Sequence, residues 1–204
     1  MKIIQTHHRG SRKPANLAKL QNSLDHFDLS LGNVIPSIKI DYVFIHQTCV
    51  EAVNHWVNQS LNQKPVPEVG GFLLGNYALS KRDHYLISIE EFLPAQEVVK
   101  ATPNRLEFGS NPFLALDAFL EEKEDLVLVG WLHTHPGHSP YLSEIDLYSH
   151  EGFFPHDYQV AIVLDPLTDD HDTGIFCRTD ENTMTNKDDF SHWLNWKSLT
   201  IPKQ

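Results

Sequence analysis

Two rhythms of apolar residues run along the chain. Val50, Val53, Trp56, Val57 and Leu61 recur at helical spacing, the stripe of an amphipathic helix. Thr48 and Glu51 form a capping-box pattern at its start, and Pro65 and Pro67 lie beyond its end. Phe113, Leu116, Phe119 and Leu120 mark a second helix, opened by Asn111-Pro112. Ile38 to Ile45 alternates with period two instead, as a strand does. Leu126 to Val129 and Gln159 to Asp165 are nearly unbroken apolar runs, the pattern of strands covered on both faces. Glu68 to Gly75 is a further buried strand whose paired glycines imply a bulge or a close backbone approach. His84 to Phe92 is its hairpin partner across Ser80–Asp83, and Gly174 to Arg178 is a last strand. Phe190 to Trp196 is expected to form a short closing helix with Phe190, Trp193 and Leu194 on one side. Residues 1–38 are polar and broken by Pro14, Gly32 and Pro36, with Leu17, Leu20 and Leu24 as one short stripe. The chain divides into an N-terminal extension, 1–38, and a main domain, 39–204. Strands alternating with helices around an apolar central sheet indicate an α/β sandwich.

Composition narrows the classes. A formal charge of -11, from 16 basic and 27 acidic residues, offers no basic stripe for a nucleic acid partner. No apolar run reaches membrane-spanning length, and the first ten residues lack the apolar stretch of a secretory signal. Cys49 and Cys177 form no Cys-x-x-Cys pattern and are expected as reduced core thiols. A soluble cytoplasmic protein is the expectation.

The chemistry is concentrated after the Leu126–Val129 strand, in Gly130-Trp131-Leu132-His133-Thr134-His135-Pro136 and Ser143-Glu144-Ile145-Asp146. Histidines two apart on an extended segment project from the same face. With Asp146 just inside a new helix, they supply two nitrogens and a carboxylate oxygen. A tetrahedral Zn²⁺ so held keeps a fourth position open, the arrangement of a catalytic rather than a structural zinc. Plain structural readings stand beside this one. A His-x-His pair is often only packed or solvated, and Ser143 with Asp146 is also a capping box. His138 and His150, which flank the motif, are expected at the surface. Tyr148 to Asp157 is either a flap over the site or a packed loop, and Asp169, Asp170 and Asp172 form a solvated acidic turn.

His133-x-His135, ten intervening residues, then Asp146, with Ser143 three before it and Gly130-Trp131 leading in, resembles the signature of the JAMM (MPN+) metalloproteases. The resemblance extends over roughly residues 40 to 180. It implies the MPN, cytidine-deaminase-like architecture: a curved mixed sheet between helices. It implies Zn²⁺ on His133, His135 and Asp146, Glu68 (in Glu-x-x-Gly-x-Leu-x-Gly) as general base, and Ser143 as donor to the developing oxyanion. Residues 94–110 correspond to an insertion that grips an extended substrate tail in that family. The implied activity is hydrolysis of a peptide or isopeptide bond after the tail of a ubiquitin-like protein. The implied partners are that protein, its conjugates and E1-like and E2-like conjugation enzymes, as in small bacterial members, some of them antiviral. A processing peptidase for a sulfur-carrier protein and a non-catalytic MPN scaffold remain alternatives. Nucleobase deamination would need His-x-Glu and Pro-Cys-x-x-Cys segments, and neither is present.

Overall fold

The computed structural model describes residues 26–30, 38–80, 83–186 and 193–200. Its centre is an eight-stranded mixed sheet. In chain order the elements are β1 (His26–Ser30), β2 (Ile40–His46), α1 (Gln47–Ser60), β3 (Gly70–Leu79), β4 (Tyr85–Pro94), β5 (Lys100–Thr102), β6 (Arg105–Glu107), α2 (Ser110–Glu122), β7 (Val127–Thr134), α3 (Glu144–Phe153), β8 (Val160–Leu164), β9 (Asp172–Phe176) and β10 (Trp193–Asn195), closed by a 3-10 turn, Trp196–Thr200. The sheet order is β1-β2-β4-β3-β7-β8-β9-β10, while β5 and β6 form a separate hairpin. Strands β2 and β4, and β7 and β8, run parallel; the other neighbours are antiparallel. The expected α/β sandwich is borne out.

Both faces of the central strands are covered, which explains their unbroken apolar sequences. In β8, Val160, Ile162 and Leu164 join the cluster under α1, with Val50, Val53 and Val57. Ala161 and Val163 face the other way, into the cluster under α2 with Leu116 and Leu120. Each fully buried aliphatic or aromatic side chain contributes about 1.5–3 kcal/mol, so these two clusters hold the sheet rigid beneath the site. Cys49 and Cys177 are free and sealed in the α1-side cluster, as expected.

Two glycine features set the central strands close together. A Cβ at Gly70 would lie 2.5 Å from the Leu132 carbonyl oxygen, and one at Gly71 2.3 Å from that of Leu93. The glycine pair is therefore a close approach, and the bulges fall further on, between Leu73 and Gly75. Gly130 has φ +156°, and a Cβ there would meet the Val160 carbonyl oxygen at 2.1 Å.

Three local expectations are corrected. Thr48 does not cap α1: the helix begins earlier, after His46, with no side-chain cap. Thr48 Oγ1 instead donates to the Glu90 carbonyl, and Glu51 accepts from Gln47. Residues 193–195 form strand β10 on β9, not a helix; Phe190 lies outside the described residues, as does the Leu17, Leu20 and Leu24 stripe. His150 is buried rather than on the surface, whereas His138 is exposed. Within 1–38, β1 adds an edge strand to β2. Among the described residues, no helix is long and apolar enough to cross a membrane.

Candidate active site

Strand β7 ends in Thr134, and its parallel neighbour β8 continues the grip: His135 N–H donates to the Leu164 carbonyl at 2.9 Å. Extended backbone through this point turns His133 and His135 to the same side, with their Nε2 atoms 3.1 Å apart. Helix α3 then delivers Asp146. Ser143 is its N-cap in a complete capping box: Ser143 Oγ accepts from Asp146 N–H at 3.2 Å, and Asp146 Oδ2 accepts from Ser143 N–H at 2.8 Å. The two carboxylate oxygens lie 3.4 Å from His133 Nε2 and 3.4 Å from His135 Nε2. The capping and converging readings of Ser143 and Asp146 are both realised by one geometry.

Glu68 arrives from the other side. Thr134, the residue between the histidines, accepts from Val69 N–H through its hydroxyl at 3.0 Å and donates its own N–H to the Val69 carbonyl at 2.8 Å. That double link places Glu68 Oε1 3.9 Å from His135 Nε2. The β5–β6 hairpin secures it further, since Glu68 N–H donates to Thr102 and the Leu106 backbone N–H bonds its carboxylate. Beside Glu68 opens a cleft of about 430 Å³, lined by Trp56, Ala95, Gln96, Val98 and Leu106.

The charges are buried: His133 is 0% exposed, His135 3%, Asp146 5% and Glu68 3%. Burial pushes the Glu68 carboxyl up to about 7; the nearby Asp146 charge adds to this, while His135 and the Leu106 N–H oppose it. For Asp146, burial also acts upward, but the His133 charge and hydrogen bonds from His133, His135 and Ser143 outweigh it. Its carboxyl is held well below the usual range. The ion pairs of both carboxylates are made with histidines. Two carboxylates in one enclosed spot build up an excess of negative charge once both ionise, and such an excess is costly without a counter-charge.

A metal ion fits this donor set. Ligands at about 2.0–2.2 Å around a tetrahedral zinc are about 3.3–3.6 Å from one another; here the two Nε2 atoms are 3.1 Å apart, and each lies 3.4 Å from a different oxygen of Asp146. Two nitrogens with one oxygen suit zinc, whereas Ca²⁺ and Mg²⁺ prefer all-oxygen sites. His133, His135 and Asp146 form the one three-residue group of this kind among the described residues.

The segment between His135 and Ser143 is pinned by side chains far away in sequence. Asp165, buried, accepts from Gly137, Ser139 and Leu167 N–H at 2.9, 3.1 and 3.0 Å. This fixes a turn in which Gly137 and Ser139 both have positive φ. Asn186 receives Leu142 N–H and donates to the Leu142 carbonyl, at 2.9 and 2.8 Å, just before Ser143. Asp165, Asn186 and the linking role of Thr134 escaped the sequence reading; the one signal was the Asp165-Pro166 step ending an apolar strand. Tyr141 stands edge-on to His135, at 4.8 Å between ring centroids. Tyr148 to Phe153 belong to α3 rather than to a loop, and after them Phe154 is fully buried while Pro155 and His156 are exposed. Tyr148, within α3, is 80% exposed.

A family model described as prokaryotic homologs of the JAB domain (Prok-JAB) matches residues 51–170, more than half of the chain. The chain belongs to the Prok-JAB family. Glu68, His133, His135, Ser143 and Asp146 all lie within the matched part. This Prok-JAB chain is similar to AMSH-like ubiquitin thioesterase 1 of Arabidopsis thaliana, 36% identical over 72 residues, 32% of this chain and 13% of the relative. It is similar to the AMSH-like protease of Homo sapiens, 38% identical over 68 residues, 32% of this chain and 15% of that protein. It also matches ubiquitin carboxyl-terminal hydrolase RPN11 of Saccharomyces cerevisiae, 28% identical over 103 residues, 49% of this chain and 32% of that one. The chain thus spans under a third of the length of each of these relatives. A protein of Desulfitobacterium hafniense solved in solution aligns with a TM-score of 0.49 and 16% identity, over 70% of this chain and 88% of that one.

Proposed function

We propose that this Prok-JAB chain is a zinc-dependent metallopeptidase. It hydrolyses the peptide or isopeptide bond after the C-terminal tail of a ubiquitin-like protein, releasing it from a precursor or a conjugate. The observation that carries the reading is the convergence of His133, His135 and Asp146, in one buried spot, with Glu68 3.9 Å from His135. The names of the relatives, a ubiquitin thioesterase and a ubiquitin carboxyl-terminal hydrolase, support the choice of substrate class.

In this reading His133, His135 and Asp146 hold Zn²⁺, which, when bound, supplies Lewis-acid polarisation of the scissile carbonyl and acidifies a water. Glu68 takes the proton of the attacking water and returns it to the departing amine. A carboxyl raised to about 7 suits both duties near neutrality. Ser143 already accepts from Asp146 N–H, which leaves its hydroxyl hydrogen to donate to the carbonyl oxygen as negative charge develops there. Losing such a donor costs on the order of 3 kcal/mol. The cleft between Trp56 and the β5–β6 hairpin receives the substrate tail. Residues 39–204 form the catalytic unit, residues 1–38 an extension, and conjugation enzymes of the same cytoplasmic pathway are the remaining partners. A non-catalytic scaffold is disfavoured, because nothing in a scaffold calls for a complete ligand set beside a buried carboxylic acid.

The test is zinc content together with cleavage of a ubiquitin-like protein fused through its C-terminal glycine. Wild type is expected to bind one zinc and cut. Glu68→Gln is expected to bind zinc equally and to lose about 10²- to 10⁴-fold in rate, the scale of general acid–base catalysis. Wild-type turnover in Glu68→Gln would exclude it as the base, and unaltered zinc content in Asp146→Ala would break the ligand assignment.

A further inference from the structure

Ligand histidines are ordinarily oriented through their second nitrogen, which donates to a carboxylate or carbonyl. His133 lacks this: its Nδ1 is buried and has no hydrogen-bond partner among the described residues. Trp131 is stacked on the ring instead, at 4.3 Å between centroids and 10° between planes. Phe154 is also parallel to the indole, at 10° and 5.6 Å between centroids. The three rings form a parallel stack, which constrains the tilt of the imidazole but does not by itself set its rotation in the ring plane.

One hydrogen bond restricts the stack further. Trp131 Nε1–H donates to His150 Nδ1 at 3.0 Å, in full burial. His150 sits four residues after Asp146 on α3, so the two share one face of the helix. Its ring is stacked on Phe154 in turn, at 5.4 Å. Arg178 braces the far end by donating to the Phe154 carbonyl at 3.1 Å.

We infer that His150 is a positioning residue for the metal centre, acting through Trp131 to orient His133. Helix α3 then governs two ligands at once: Asp146 directly, and His133 through the indole that His150 anchors. The indole takes the place of the missing hydrogen bond at His133 Nδ1. The inference rests on the proposed metal site, and its test separates the two.

The experiment measures zinc affinity by chelator competition on protein shown to be folded by near-UV circular dichroism. The visible spectrum of the Co²⁺-loaded protein is recorded alongside. The variants are His150→Leu, which removes the acceptor, and His150→Asn, whose amide oxygen occupies the place of Nδ1 and restores it. His150→Leu is expected to weaken zinc about 10- to 100-fold, the range for losing an orienting partner, and to shift the Co²⁺ bands. His150→Asn is expected to recover both toward wild type, an outcome that general loosening of the core would not produce. Should His150→Leu fail to fold, Trp131→Phe serves in its place, since it keeps a ring on His133 but has no N–H to anchor. Wild-type zinc affinity in His150→Leu or Trp131→Phe, with wild-type protein binding normally, overturns the positioning role alone. Absence of zinc binding by wild-type protein overturns the metal site and this inference together.

Discussion

His150 also couples the site to pH through stability. Burial, reinforced by the Arg178 charge, pulls its imidazole down to about 3. In the unfolded chain a histidine titrates near 6.5, so between about 3 and 6.5 the unfolded state holds the extra proton. Stability therefore rises with pH across that window and falls as acid is added. Urea midpoints at pH 5 and pH 7 should differ less in His150→Asn than in wild type; an unchanged difference would count against the assignment. The neighbouring residues show what a one-dimensional reading can reach. The convergence of His133, His135 and Asp146 was legible in residue type and spacing, whereas Glu68 and Ser143 were pointed to only by the family resemblance. Asp165, Asn186 and the buried state of His150 were not legible. Each acts on a partner between 19 and 44 residues away, and an isolated Asp, Asn or His carries no local mark of what it will face.

The elements around the site differ in what holds them. The turn from His135 to Ser143 is anchored by the buried Pro136, Pro140 and Leu142, and its geometry depends also on the Asp165 carboxylate and the Asn186 amide. Asp165→Asn would turn an NH₂ group toward a backbone N–H that now has an acceptor. A loss of roughly 1–3 kcal/mol is expected, together with about tenfold weaker zinc, read by thermal melts and chelator competition. Full retention of both would show that the turn holds its own shape. Long periodic elements were legible: α1, α2, β7 and β8 lie where their apolar patterns put them. The failures came at short pieces. Trp193 and Leu194 fit a helical stripe and a strand equally well over so few residues. The edge of β9 decides for strand, with Trp193 opposite Gly174. Thr48 and Glu51 carried the capping spacing, yet the helix started earlier and both side chains found other partners.

On the scale of the whole molecule, β7 passes into β8 by a parallel crossover that contains α3, with His133 and His135 where the chain leaves β7 and Asp146 in the first turn of α3. A metal ion would tie the sheet to the helical layer. At a hundred times its dissociation constant, zinc should add about 2.7 kcal/mol, or roughly 5–10 °C in Tm for a chain of this size. Wild type and Glu68→Gln should both lose this shift on chelation, and His135→Ala should never show it. The two sealed cysteines have a practical corollary. Burial pushes the Cys177 thiol up to about 12 and Cys49 still higher, so neither offers the thiolate that alkylating reagents require. A single cysteine installed at the exposed Tyr148 position should therefore take a maleimide dye alone. That would give a clean fluorescent reporter on α3 without first stripping the native thiols.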